Sequence, residues 1–119
     1  MAAAAAHAHL AEHTCRYGSP EQAKHQRASA ASDVFALGAT LYEALAGKPA
    51  FDAPTPLAVT LKITSGVHVS LDLAAPTAPR RLRSLVASML STSESERPRA
   101  SEVAAALAEI AQGGSAARP

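Results

Sequence analysis

The chain of 119 residues has no tryptophan, two phenylalanines, two tyrosines, one cysteine and no long apolar run. Alanine supplies much of the 48% apolar content yet buries little area. The core is therefore left to a limited set of Leu, Val, Ile, Phe and Met side chains. One domain with a modest core and marginal stability is expected from that balance. Few aromatics also means few platforms for stacking bases, and a formal net charge of +1 built from mixed signs with no long basic run argues against a dedicated nucleic-acid surface. Cys15 stands alone, which excludes an intrachain disulfide and suits a reducing, cytoplasmic setting. No stretch approaches the about 18 consecutive apolar residues of a spanning helix, and Met1 to His9 has neither a basic leader nor a strongly apolar centre, so no secretory signal is expected. Neither nucleic acid nor membrane is an expected partner.

What is present divides the chain into residues 1–12, an alanine-biased low-complexity tail, a patterned body over 13–110, and a loose tail over 111–119. His7, His9 and His13 lack the cysteine or spaced acid that would complete a ligand set, and are expected to be solvent-exposed tail residues rather than a metal site. Arg80-Arg81-Leu82-Arg83 is the one dense basic cluster. It suits the solvated first turn of an amphipathic helix, with phosphate or partner binding as the alternative.

The strongest helical signal runs from Ser32. Val34, Phe35, Leu37, Leu41, Tyr42 and Leu45 cover a broad side of a helix, so burial on several sides is expected. Ser32 is the expected N-cap, Asp33 suits the positive end of the dipole, and Gly47 before Pro49 supplies a stop. After a proline-containing loop, Leu57 to Ile63 forms a short helix or a strand, ended by Gly66. Residues 67–79 make an extended connection into a second amphipathic helix carrying Leu82, Leu85, Val86, Met89 and Leu90. A polar loop at 91–98 precedes a last helix with Val103, Leu107 and Ile110, which Gly113-Gly114 is expected to end. The fold class is all-α, with four or five helices and no internal repeat.

Ser19-Pro20-Glu21 is by itself a turn and helix start: proline fits the first turn and the acid fits the dipole. In order with Thr14, Tyr17 and Gln22, however, it resembles the end of the activation segment of bacterial serine/threonine protein kinases. A second block, Ser32-Asp33-Val34-Phe35-Ala36-Leu37-Gly38 through Gly47-Lys48-Pro49-Ala50-Phe51, resembles the central helix of the kinase lower lobe. A third, Glu96-Arg97-Pro98 followed by Ala100, Glu102 and Val103, resembles its closing loop and final helix. The matches span roughly residues 13–110, so the resemblance implies a partial kinase C-lobe. His13, Cys15 and Gly18 stand where the family has Gly, Pro and Met, and Ser93-Glu94 replaces Asp-Pro.

The resemblance implies roles for particular residues. Thr14 and Tyr17 would shape the substrate loop, and Ser19, Pro20, Gly38 and Asp33 would be structural. Asp33 would accept hydrogen bonds from the catalytic-loop backbone if another polypeptide supplied that loop, and would otherwise be a helix-start acid. Glu21 and Arg97 would form an ion pair, for which a planar guanidinium is suited. Phosphoryl transfer needs a phosphate cover, a phosphate-binding lysine, a magnesium-holding carboxylate and an aspartate to orient the substrate hydroxyl. The sequence contains no Gly-rich loop, no Val-Ala-Ile-Lys-like strand, no His-Arg-Asp and no Asp-Phe-Gly. The expectation is a truncated serine/threonine-kinase-like protein with no catalytic, cofactor or metal residues of its own, although intact relatives use ATP and magnesium. The alternatives are a helical interaction module or pseudokinase-like regulator, self-associating or partner-binding through exposed apolar surface, and a gene fragment or mispredicted start of a full kinase.

Overall fold

The computed structural model describes residues 16–24 and 26–116. Thr14, Cys15 and the three tail histidines lie outside them. Within the described residues the chain forms α1 (Pro20–Ala23), α2 (Ala30–Ala46), α3 (Pro56–Ser65), α4 (Leu71–Ala74), α5 (Arg80–Met89), a 3-10 turn (Glu94–Glu96) and α6 (Ala100–Ala116), with no strand among them. The all-α class is as expected, but there are six bounded helices rather than four or five. The two extra ones, α1 and α4, are single turns, too short for an apolar period to repeat.

Local chemistry explains most boundaries and corrects three. Helix α2 begins at Ala30, with Ser29 as N-cap: the Ser29 hydroxyl accepts from the Ser32 amide while Ser32 Oγ accepts from the Ser29 amide. Ser32 is therefore the third helical residue, not the cap, and closes a capping box usually completed by Glu or Gln. Thr55 caps α3 with Pro56 in its first turn, which resolves Leu57 to Ile63 as helix. Gly47 and Gly66 end α2 and α3 in the left-handed region, at φ 80° and 70°, where a Cβ is costly. The last helix does not stop at Gly113-Gly114 but runs on to Ala116. Ser70 caps α4 inside the connection expected to be extended.

Helix α2 is the axis, packed against α4, α5, α6 and the 3-10 turn, while α1 rests on α3. Its inward residues Phe35, Ala39 and Tyr42 are almost completely buried with Phe51, Ile63 and Val86. Phe35 stacks on Phe51 at 5.8 Å, and His68 meets the rings of both Phe51 and Tyr42 edge-on at 5.4 and 5.6 Å. Tyr17 packs against the same cluster. The few aromatics thus converge on one core, where ring pairs add to area burial. Where α2 crosses α5, a Cβ on Gly38 would lie 2.8 Å from Met89 Cβ. Absence of a side chain is what allows that approach.

Among the described residues, one side of α2 is left without cover. Asp33, Thr40 and Ala44 are exposed there, and Leu37 is 42% exposed. The expected burial on several sides is therefore incomplete. Spacings of four, three and four place these residues on one stripe.

Candidate functional site: a buried ion-pair clamp beside an open helix face

The single-turn helix α1 exists to present Glu21. Ser19 is its buried N-cap: Gln22 N donates to Ser19 Oγ at 3.3 Å and Ser19 N donates to Gln22 Oε1 at 3.0 Å. Pro20 occupies the first turn, where its missing N–H costs nothing. Glu21 then points into the protein and meets Arg97 from the loop after the 3-10 turn. Arg97 Nη1 donates to Glu21 Oε2 at 2.7 Å and Nη2 to Oε1 at 2.8 Å, across 76 positions of sequence. The Glu21 side chain is 5% exposed and that of Arg97 0%. The Glu21–Arg97 pair implied by the resemblance is therefore present and bidentate.

Burying two charges costs several kcal/mol per ion unless every donor and lone pair is satisfied. Here that condition is met. Arg97 Nε donates to Ser91 O at 2.8 Å, Nη1 also to Ala31 O at 3.0 Å, and Nη2 reaches Thr92 O at 3.4 Å. Ser32 Oγ donates to Glu21 Oε2 at 3.0 Å. The guanidinium carbon lies 5.0 Å from the centroid of Phe35, a cation–π contact that joins the clamp to the aromatic core. No buried side-chain nitrogen or oxygen lacks a partner among the described residues. Hydrogen bonding from Arg97, aided by the backbone amide of Glu21 itself and by Ser32, holds the Glu21 carboxyl well below its ordinary 4.5, at about 2, against the opposing effect of burial.

Ser32 and Phe35 were legible only as helix residues. Neither motif spacing nor periodicity shows that Ser32 turns its hydroxyl to Glu21, since it depends on the cap lying three residues earlier.

Tyr17 lies close by and donates its hydroxyl to Glu43 of α2. That hydrogen bond, then burial and the carboxylate's charge, raises the Tyr17 pKa. Tyr17 and Glu43 wall a shallow groove of about 510 Å³, floored by Ala36, Thr40 and Ala44. It opens onto the uncovered stripe of α2. Asp33 sits at one end of the stripe, exposed, its backbone amide donating to Ser29 O at 3.0 Å. No side-chain hydrogen bond of Asp33 is formed among the described residues, and it stands in the first turn of α2. The structure brings together Ser19, Pro20, Glu21 and Arg97, sets Tyr17 beside α2, and leaves Gly38 in the α2–α5 crossing. Thr14 falls outside the described residues.

Among the described residues no three His, Cys, Asp or Glu side chains stand close enough to hold a metal ion. No helix of the described residues is long and apolar enough to cross a membrane.

An all-helical body clamped by a glutamate from a Ser-Pro-Glu turn and an arginine before the final helix defines a kinase lower lobe. The protein kinase domain family matches residues 3–107, and the chain belongs to that family. It is 40% identical over 98 residues to the serine/threonine-protein kinase pkn2 of Myxococcus xanthus, covering 80% of this chain and 12% of that protein. It is 42% identical over 66 residues to the probable serine/threonine-protein kinase PknB of Corynebacterium glutamicum, covering 56% and 9%. With the PknB of Mycolicibacterium smegmatis it shares 50% identity over 46 residues, 39% of this chain and 7% of that one. The chain therefore spans only about a tenth of the length of these curated relatives.

Proposed function

We propose that these 119 residues act as a kinase-lower-lobe scaffold that does not bind ATP or transfer phosphate alone, and that offers the open face of α2 to a protein partner. One observation carries the reading. The clamp side of α2 is closed by a fully satisfied ion pair, whereas the stripe of Asp33, Leu37, Thr40 and Ala44 faces solvent. An aspartate at the start of such a helix, free to accept backbone hydrogen bonds, is the element the resemblance assigns to receiving a catalytic loop. Phosphoryl transfer relies on positioning and charge stabilisation by a lysine, magnesium carboxylates and a substrate-orienting aspartate. The sequence supplies none of the motifs that carry them.

The test is direct. The purified chain, incubated with radiolabelled ATP, magnesium and a generic protein substrate, is expected to label neither itself nor the substrate. Incorporation above a no-enzyme control overturns the reading. On the partner side, sedimentation is expected to show association that weakens in a Leu37→Gln variant; a concentration-independent monomer overturns that part.

The small share of each relative that is matched favours a second reading: these residues are the lower-lobe segment of a complete serine/threonine kinase. Translation of the DNA preceding the Met1 codon in three frames distinguishes the two. Gly-rich, His-Arg-Asp and Asp-Phe-Gly elements there support the second reading, and their absence supports the first.

A further inference from the structure

On the far side of α2 from the open stripe lies a cavity that takes no part in the clamp. It has a volume of about 320 Å³, which falls in the size range of small-molecule sites. Its floor is apolar: Tyr42, Leu71, Val86 and Leu90 line it, each 5% exposed or less. Its rim is polar, with Ser70, Asp72, Arg83 and Ser84. A cavity of about 150 Å³ already accommodates a benzene ring, so this one has room for a ring with a short tether.

The rim charges are unequal in commitment. Arg83 is only 19% exposed on its side chain, and its Nε donates to Ala78 O at 3.0 Å, which fixes the guanidinium plane. The other contact of that guanidinium is to Asp72, through Nη1, and the Asp72 side chain is 74% exposed. An aspartate so well hydrated gains little from its partner and leaves it at small cost. A partly desolvated arginine edge, held by a backbone carbonyl and covered by a carboxylate that can swing into water, is suited to exchange that carboxylate for another. The Tyr42 hydroxyl is already engaged, donating to Val69 O at 2.5 Å. The floor therefore adds apolar contact without demanding a polar partner.

We propose that this cavity binds a small amphipathic carboxylate, its carboxyl group on Arg83 in place of Asp72 and its apolar body on Tyr42, Leu71, Val86 and Leu90. The site is separate from the clamp and from the α2 stripe, and the inference does not rest on the scaffold reading.

The probe is 4-phenylbutyrate, with 4-phenylbutanol as the uncharged control, titrated into the 119-residue chain and followed by amide chemical shifts. Shifts are expected at Gly66, Leu71 and Ala87, with the alcohol at least about tenfold weaker, as loss of a charge-assisted hydrogen bond implies. Arg83→Gln is expected to weaken the acid by a similar factor and leave the alcohol unchanged. Asp72→Asn, on an exposed side chain, is expected to tighten the acid up to about fivefold by removing a weak competitor. Equal binding of acid and alcohol, shifts confined to other surfaces, no binding at millimolar acid, or an Asp72→Asn variant that binds the acid no better overturns the proposal. Should Arg83→Gln fail to fold, the Asp72→Asn arm and the alcohol comparison decide it.

Discussion

The two sides of α2 are built to different standards. Toward Arg97, the helix contributes Ser32, Phe35 and the Ala31 carbonyl to a network in which every buried donor and acceptor is satisfied. On the opposite stripe it presents Asp33, Leu37, Thr40 and Ala44 to water. One helix thus carries both a finished interior face and a face with an apolar residue and no cover among the described residues. The difference teaches that polar satisfaction on one face of a helix does not require cover on the other. The clamp ties α1 to the loop before the final helix across 76 positions of sequence, while the stripe is exposed.

The sharpest way to break this comparison is to strand one charge. Arg97→Met leaves Glu21 buried without its cation and is expected to cost about 3–5 kcal/mol, read as a drop in the urea midpoint or outright unfolding. Glu21→Met combined with Arg97→Met is expected to recover much of that loss, because the unpaired charge is gone. A double variant as unstable as the single one would show that the clamp does more than balance its own burial.

Acid probes the same pair without mutation. The folded-state value of Glu21 is depressed, from 4.5 to about 2, so above about pH 4.5 its contribution is fully present. As pH falls through that window the unfolded chain takes up the proton first, and a contribution on the order of 3 kcal/mol is lost by pH 2. Chemical denaturation across this window is expected to slope less in the Glu21→Met/Arg97→Met variant.

Smaller effects follow elsewhere. Gly38→Ala pushes a Cβ against Met89 and is expected to cost about 1–3 kcal/mol through forced separation of α2 and α5, measurable as a lowered Tm. Tyr42→Phe removes the hydrogen bond to Val69 while keeping the ring, and about 0.5–1.5 kcal/mol should be lost. At the bottom of the range, Leu37→Gln on the open stripe should change monomer stability by no more than about 0.5 kcal/mol. A large loss at Leu37 would mean that the stripe belongs to the core after all, and the contrast between the two faces would collapse.

Much of this was legible in the sequence for identifiable reasons. Glu21 and Arg97 sit in motifs whose residue types and order carry their pairing across 76 positions, and α2 was visible from its dense apolar period. The all-helical class followed from period alone. Other features had no local signal. Ser29 and Ser32 are chemically equivalent candidates for a cap, and only tertiary structure, with Glu21 drawing on the Ser32 hydroxyl, separates them. His68 reads as a polar residue in a connection, yet its ring lies between Tyr42 and Phe51. Helix α4 is one turn long, below what periodicity resolves. The exposure of Leu37 could not be foreseen, because apolar spacing marks which residues could be buried and says nothing of whether a neighbour is present to bury them.

The convergence of the aromatics gives the protein its own optical reporter. With no tryptophan and two tyrosines, its ultraviolet emission comes from Tyr17, hydrogen-bonded to Glu43 on α2, and Tyr42, whose hydroxyl donates to the Val69 carbonyl. A phenol that donates to a carboxylate and one held by a backbone carbonyl are in surroundings unlike those in water. Unfolding therefore changes the light from both, and single substitutions to phenylalanine separate the signal of the activation-segment end from that of the central core.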